Sequence, residues 1–559
     1  MSIERPEEAR GVPLLSYGTD DEFEYQVSNL NGSTPLLRTE SESEIDETES
    51  KPHGPGFFWI QAAIFSNVFL AGFDGTITAS TYAVIGSDFN AANTISWITT
   101  AYLITSTAFQ PLYGRFSDIL GRRTCFLIAT MTFLLGCLGC GLAPNIILLD
   151  LMRALAGLGG GGLITMATII NSDIIPLENR GMYQAVQNGF YGFGAICGAS
   201  IGGILADTIG WRWCFGCQVP IAFAAMLIGY FVIINPPPAD RGLEGQGAVG
   251  KSLWTQIDLS GAVLLVFGLS AQLAALSLGG NQYPWSDIRV IICLVASFVI
   301  LGAFIWVELK TKALPVMPML MLQGIPTIAN TISNILVGMS SFAFLFMIPL
   351  FFQVVLKDSA SKAGLRLAIP SLATPVGGLI AGFIMSRWGL LSQLVRAGCF
   401  FMVLGNGLIC SLRYHDSTWK YILYLFPANV GQGIVFPSIL FTNISAFEQS
   451  LSTSMVYLFR SMGMVWGVAA ASTIIQNVLS SRLPSALSGI PKKEKKRAKI
   501  IEDIRHSVTV LRDLDPEIQD LARRVYFDAL RYTFIASTAW AAAAFLVAFF
   551  TKGKRLDRK

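Results

Sequence analysis

Apolar stretches recur from about residue 57 to residue 551. Each is long enough, at about 18 residues or more, to cross a lipid bilayer as a helix. No other feature constrains the fold as strongly. In hydrocarbon every backbone N–H and C=O must find its partner inside the protein, so spanning segments are either helices or strands of a closed barrel. The runs are about 20 residues long, not the alternating strands of about 10 that barrels use, which selects helices. Charged side chains make up 14% of the chain, against about 25% in soluble globular proteins. A net charge of +3 gives no reason to expect nucleic acid as a partner.

The expected architecture is an all-α membrane protein with 14 transmembrane helices. They fall near 57–82, 94–114, 124–143, 147–170, 184–206, 213–235, 258–279, 288–308, 326–353, 364–386, 393–412, 420–441, 452–480 and 531–551. Short loops on one side, together with the C-terminal tail, carry 15 Lys and Arg residues against 7 in the loops on the other, so both termini are expected in the cytoplasm. Two pairs of sequence echoes reveal a repeat. GRFSDILGRR (114–123) resembles GFIMSRWGLL (382–391), and GAICGASIGG (194–203) resembles GMVWGVAAAS (463–472). Their offsets, 268 and 269 positions, nearly coincide, and both echoes keep their direction in the membrane. That implies two parallel six-helix bundles, one known plan for transporters.

The organisation follows. Residues 1–56 form an acidic, polar tail, expected to be disordered and cytoplasmic. Residues 57–235 form the first bundle, 236–257 a cytoplasmic linker and 258–310 two inserted helices. Residues 326–551 form the second bundle, with 481–530 as a long lumenal loop, and 552–559 end the chain in the cytoplasm. Pro-Leu-Leu occurs at 13–15 and 35–37 with acidic residues nearby, a pattern used in endosomal and vacuolar sorting.

Few residues can carry chemistry. Asp74 follows 17 uncharged residues and precedes 13 more. An ionisable group in such a run usually faces the bundle interior and marks an ion or proton path. Apolar surroundings disfavour a charged carboxylate, which allows reversible protonation. The plainer alternative is a packing carboxylate hydrogen-bonded to Thr76, Thr78 or another helix. His53, His415 and His506 all lie in tails or loops, so proton coupling falls to carboxylates. Arg153, about one turn into the fourth helix, either tunes such a carboxylate or anchors a helix end or Asp150. Arg460 offers a weaker pairing in the second bundle. Cys214 and Cys217 form a C-x-x-C at a helix mouth without a second ligand pair, and read as packing residues. GLGGGG (157–162) lacks the Lys-Ser/Thr of a phosphate loop and lies inside a helix, so close packing explains it better. No metal site, cofactor or nucleophile–base pair appears, which speaks against an enzyme.

The motifs in order resemble those of the major facilitator superfamily, fourteen-helix drug:proton antiporter type, from residue 57 to 551. The loop signature appears as Gly114, Phe116, Ser117, Asp118, Gly121, Arg122 and Arg123. The fourth-helix signature appears as Leu149, Arg153, Gly157 and Gly159, with Ala156 where the family usually has Gln. The antiporter signature appears as Gly194, Gly198, Gly202 and Gly203, with Ala199 replacing its Pro. The first-helix element matches at Asp74, Thr76 and Ile77. Within the family the chain is most similar to fungal vacuolar transporters of basic amino acids.

That resemblance implies a monomeric, proton-coupled transporter in the vacuole membrane, moving basic amino acids from cytosol to vacuole by alternating access. Asp74 and Arg153 would couple protons, and Asp118, Arg122 and Arg123 would act in the conformational switch, the arginines latching the two halves in one state. A cationic substrate needs acceptors, for which Gln187, Asn188, Tyr191, Asn330 and Asn334 are candidates. A plasma-membrane exporter of drugs or organic cations, and a non-transporting amino-acid sensor, remain as alternatives.

Overall fold

The structure is a computed structural model that describes residues 55–89, 97–235, 258–279, 283–311, 315–317, 322–358, 360–414, 416–443, 449–488, 499–504, 511 and 514–551. The Pro-Leu-Leu elements, the 236–257 linker (except 257's neighbour Asp258 onward) and the 552–559 tail lie outside the described residues. The chain runs through α1 (Pro55–Asp88), α2 (Trp97–Leu120), α3 (Arg122–Leu142), α4 (Ile146–Ile174) and α5 (Leu177–Thr208). Next come α6 (Arg212–Gly216 and Gln218–Val232), α7 (Leu259–Leu278) and α8 (Ile288–Lys310). The remainder is α9 (Ile325–Val354), α10 (Ala360–Ser371 and Ala373–Trp388), α11 (Leu391–Cys410), α12 (Thr418–Leu423 and Phe426–Asn443), α13 (Gln449–Ala486) and α14 (Pro516–Val547).

Among the described residues 13 helices are long and apolar enough to cross a membrane. The exception is α2, whose threonines and charged end dilute its hydropathy. It is nonetheless a continuous helix of 24 residues, wedged among α4, α7 and α13. Three helices break in two for one reason. Their first pieces end at Gly216, Ser371 and Leu423, each four residues before a proline (Pro220, Pro375 and Pro427). A proline supplies no N–H to the carbonyl four positions back, and its ring crowds that carbonyl.

Some ends differ from the sequence-based expectation. The stretch GRFSDIL, expected in a loop, completes α2. Gly121, with φ 94°, makes the turn into α3. Helix α13 continues to Ala486, and α14 begins at Pro516, not near 531. The expected 481–530 loop is therefore much shorter. Residues 516–530 are charged on one face, which hides them from a hydropathy window. Ile518, Ala522, Val525, Tyr526 and Ala529 on the other face are buried, as a surface helix requires.

The repeat is visible as packing. A Cβ on Gly72 would lie 2.1 Å from the Tyr191 carbonyl, and on Gly194 and Gly198 it would lie 2.2 and 2.3 Å from the carbonyls of Phe69 and Phe73. Helices α1 and α5 therefore touch backbone to backbone. In the second bundle Gly463 and Gly467 press α13 onto α9, 2.2 Å from the carbonyls of Ile335 and Met339. Gly338 plays the part of Gly72, 2.6 Å from the Arg460 carbonyl. Gly389, with φ 64°, turns α10 into α11 as Gly121 turns α2 into α3.

Each bundle has its own apolar core, one built from α1–α4 and α6, the other from α9 and α11–α14. The inserted α7 and α8 pack with α2 and α13. The bundles meet at the end that carries the α2–α3 turn. There Leu451, Met455 and Leu458 of α13 share a core with Ala108 and Leu112 of α2. Gly181 of α5 abuts Gly382 of α10, where a Cβ on Gly382 would lie 2.7 Å from the Gly181 carbonyl.

Candidate functional site

Asp74 lies about 28 Å along α1 from its start, and Arg153 about 10 Å into α4, at 1.5 Å per residue. The two helices run in opposite directions, so these depths bring the residues level. Arg153 Nη1 donates to both Oδ1 and Oδ2 of Asp74 at 2.8 Å. The side chains are 0% and 1% exposed. Arg153 Nε donates to the Ile98 carbonyl at 3.1 Å. The guanidinium lies 4.5 Å from the centre of the Tyr102 ring and 5.5 Å from that of Phe215. Gln218 of α6 donates to Asp74 Oδ1 at 3.3 Å. The result is an ion pair in an aromatic box, closed to water.

The carboxylate of Asp74 is held by other helices and not by the neighbouring threonines. Thr76 Oγ1 donates to the Ala195 carbonyl at 2.7 Å, and Thr78 Oγ1 to the backbone carbonyl of Asp74. Neither holds the carboxylate. Asp150 does not take Arg153 either, and its Oδ1 has no partner among the described residues. The antiporter glycines matter to this geometry. Gly194 and Gly198 seat α5 against Phe69 and Phe73, on the turns of α1 that lead into Asp74. Gly202 accepts from the Cys214 thiol at 3.5 Å, tying α5 to α6, and Gly203 follows it on the α5 backbone.

A buried ion pair is weak support for stability, since well-packed apolar residues of similar volume often do as well or better. Its presence at a bundle centre calls for another reason. The model of the Major Facilitator Superfamily matches residues 64–471.

The chain belongs to the major facilitator superfamily.

Its relatives cover nearly the whole chain. It is 45% identical over 457 residues to vacuolar basic amino acid transporter 2 of Saccharomyces cerevisiae, covering 81% of this chain and 96% of that protein. It is 36% identical to multidrug resistance protein fnx1 of Schizosaccharomyces pombe, covering 93% and 96%. The human organic anion transporter MFSD10 has the same fold, with a TM-score of 0.58 and 12% identity, covering 89% of this chain and 100% of that one. This major facilitator protein is thus an integral membrane transporter of small molecules, not an enzyme.

The superfamily's loop signature forms a second charged site. Arg122 Nη1 donates to Asp118 at 2.6 Å and to Ser117 Oγ at 2.8 Å, while its Nε donates to Asp173 of α4 at 2.8 Å. Gly114 accepts from Ser117 Oγ at 2.8 Å. Gly121 leaves room for Asn235, whose Oδ1 accepts from the Arg123 N–H at 2.8 Å. The Arg123 guanidinium lies 4.2 Å from the centre of the Tyr230 ring. Among the described residues Arg122 and Arg123 bind within the first bundle and do not latch it to the second. Arg115 Nε donates to the Pro315 carbonyl, in the segment between α8 and α9, at 2.7 Å.

The substrate candidates separate into two groups. Gln187 is buried, donating to Thr168 at 2.7 Å and accepting from Asn171 at 3.1 Å. Asn188 accepts from Gln184 at 3.3 Å. Both join a network that ends on Tyr457 of α13, whose hydroxyl lies 2.8 Å from Thr168 Oγ1 and 3.3 Å from Gln184 Nε2. Tyr191, one turn beyond, is 37% exposed. Asn330 and Asn334 are not brought to this network. They donate to the carbonyls of Ile439 and Val456 inside the second bundle, and the Asn334 carbonyl accepts from Arg460 at 3.3 Å. Arg460 makes no ion pair among the described residues. It also donates to the Phe436 carbonyl at 2.9 Å.

Sequence reasoning missed Gln218 and Tyr457. Gln218 had a signal, being a polar residue just inside an apolar helix. Tyr457 had none, because its partners lie about 270 to 290 positions away.

The two remaining sequence readings are packing features. Cβ atoms on Gly157, Gly159, Gly160, Gly161 and Gly162 would each lie 2.2–2.4 Å from α2 or α3, so GLGGGG lets α4 fit between them. Cys214 and Cys217 are free thiols.

Proposed function

We propose that this transporter carries basic amino acids from the cytosol into the vacuole, driven by protons leaving the acidic lumen. The observation that carries the reading is the buried Asp74–Arg153 pair. Protonating Asp74 in place would replace cancelled charges by a buried, uncompensated guanidinium, an arrangement that costs several kcal/mol. Proton uptake therefore requires the pair to part. Movement of α1 against α4, or entry of water or substrate, parts it. That is the link alternating access needs between protonation and shape.

Sidedness supports the direction. With the basic loops cytosolic, Asp74 and Arg153 lie toward the lumen, and the bundles meet on the cytosolic side. Lumenal protons would then reach Asp74 first. The S. cerevisiae relative named for vacuolar basic amino acid transport supports both the substrate class and the vacuole membrane. The relative named for multidrug resistance favours export of organic cations as the second reading.

One experiment separates them. Vacuolar membrane vesicles with and without the protein are energised by ATP and given labelled lysine, arginine or histidine, with and without a protonophore. Protein-dependent uptake that the protonophore collapses is the expected result. Acidified vesicles that contain the protein, take up none of the three, and accumulate an organic dye instead would overturn the amino-acid reading.

A further inference from the structure

A pair of carboxylates, Asp258 and Glu308, lies where α7 and α8 approach the α2–α3 turn, away from Asp74 on α1. Asp258 caps α7, its Oδ1 accepting from the Gly261 N–H at 2.8 Å and from Ser260 Oγ at 2.7 Å. Glu308, in the last turn of α8, accepts from the Met317 N–H through Oε1. The residues are 4% and 6% exposed. The second oxygen of each, Asp258 Oδ2 and Glu308 Oε2, is buried without a hydrogen-bond partner among the described residues. Both surround one point. A Cβ on Gly261 would lie 2.7 Å from Asp258 Oδ2 and 3.1 Å from Glu308 Oε2.

Two ionised carboxylates facing each other away from water repel, and each orphaned oxygen lacks the bond that burial demands. The charged group that faces Glu308 from α2 is Arg115, whose Nε donates to the Pro315 carbonyl. One proton answers both problems. As a carboxylic acid, either residue gains an O–H to offer to the other's free oxygen, which would satisfy both atoms. Gly261, lacking a Cβ, leaves room beside both oxygens.

We propose that Asp258 and Glu308 hold one proton between their facing oxygens, forming a second proton-binding site separate from Asp74. No bond other than O–H forms or breaks. Losing the proton leaves two charges, and the pair separates or is drawn to Arg115. Glu308 and Arg115 both hold the 315–317 segment that leads toward α9. Occupancy of the site therefore bears on how the inserted helices join the bundles.

The test reads the acid itself, so its failure leaves the transport reading untouched. Infrared spectra of the full-length protein in lipid are recorded at neutral pH in light and heavy water. The wild type is expected to show an exchangeable carboxylic-acid C=O band that weakens by one acid per chain in Asp258→Asn and in Glu308→Gln. Asp74→Asn should leave that component in place. Gly261→Ala keeps both acids but presses a Cβ against both free oxygens, and should shift or remove the band. An unchanged band in both carboxylate variants would refute the site. Loss in one variant only would place the proton on a single acid and refute the sharing. An unchanged band in Gly261→Ala would also refute it.

Discussion

The ion pair at the centre of the first bundle can be tested by removing its members singly and together. At a separation of charge centres of about 4 Å, opposite charges attract by about 4 kcal/mol at an effective dielectric of about 20. Asp74→Asn leaves Arg153 buried with no opposite charge, only neutral acceptors such as the Ile98 carbonyl and two aromatic faces. Arg153→Gln leaves a carboxylate with one long bond from Gln218. Truncating one side of a buried pair costs about 3–5 kcal/mol, and each single variant should lose about that much stability. In Asp74→Asn/Arg153→Gln neither charge remains. Its loss should fall short of the summed single losses by about 2–3 kcal/mol, the upper range for contacting residues. Denaturation of the purified protein in detergent gives the stability side of the cycle. Uptake into vesicles gives the other side, with Asp74→Asn expected to abolish proton-driven accumulation while keeping substrate counterflow. Additive losses in the cycle would refute the pair. Proton-driven accumulation by the double variant would refute the coupling role.

Three more substitutions probe the surroundings. Gln218→Leu removes a hydrogen bond to a charged group and should cost about 1.5–3 kcal/mol; an unchanged pH profile of uptake would show that Gln218 does not act on Asp74. Gly194→Ala places a Cβ 2.2 Å from the Phe69 carbonyl, so α1 or α5 must shift. Overpacking of this kind costs about 1–3 kcal/mol, and a fall in proton-driven uptake larger than the fall in folded protein is expected. Tyr457→Phe removes the hydroxyl bonded to Thr168 and Gln184. Losing about 1 kcal/mol of contact between the bundles should raise amide exchange severalfold in 181–189 and 378–385 relative to the bundle cores, and equal exchange would count against a contact that holds the bundles together.

The helices were legible in the sequence because lipid forces apolar length onto them, and the repeat because glycines at fixed offsets keep backbones close. What escaped was set by other forces. Residues 516–530 expose charge on one face while burying Ile518 and Tyr526 on the other, and the charged end of α2, GRFSDIL, reads as loop although it continues the helix. Asp74 and Arg153 were both conspicuous as isolated charges. That they bond each other, and that Arg122 turns to Asp173, depends on helix rotation, which periodicity along a uniformly apolar helix does not encode.

The repeat also shows what stands in the second bundle where the first has the Asp74–Arg153 pair. Gly72, Phe69 and Phe73 correspond to Gly338, Ile335 and Met339 at an offset of 266 positions, by their matching contacts with α5 and α13. The same offset carries Asp74 to Ser340. Ser340 is as buried as Asp74, but its surroundings are neutral. Its hydroxyl donates to the Ser537 carbonyl at 2.9 Å and accepts from Asn406 Nδ2 at 2.9 Å. Helix α14 thus supplies Ser537 where α6 supplies Gln218. One copy of the scaffold holds a separable charge pair, the other a network with nothing to titrate near neutral pH. Ser340→Ala should therefore cost about 1–3 kcal/mol, through the Asn406 donor it leaves unpaired, and retain a protonophore-sensitive uptake with the wild-type pH dependence. If it uncoupled transport from the proton gradient while leaving the protein folded, coupling would belong to both bundles, and the asymmetry between Asp74 and Ser340 would not explain it.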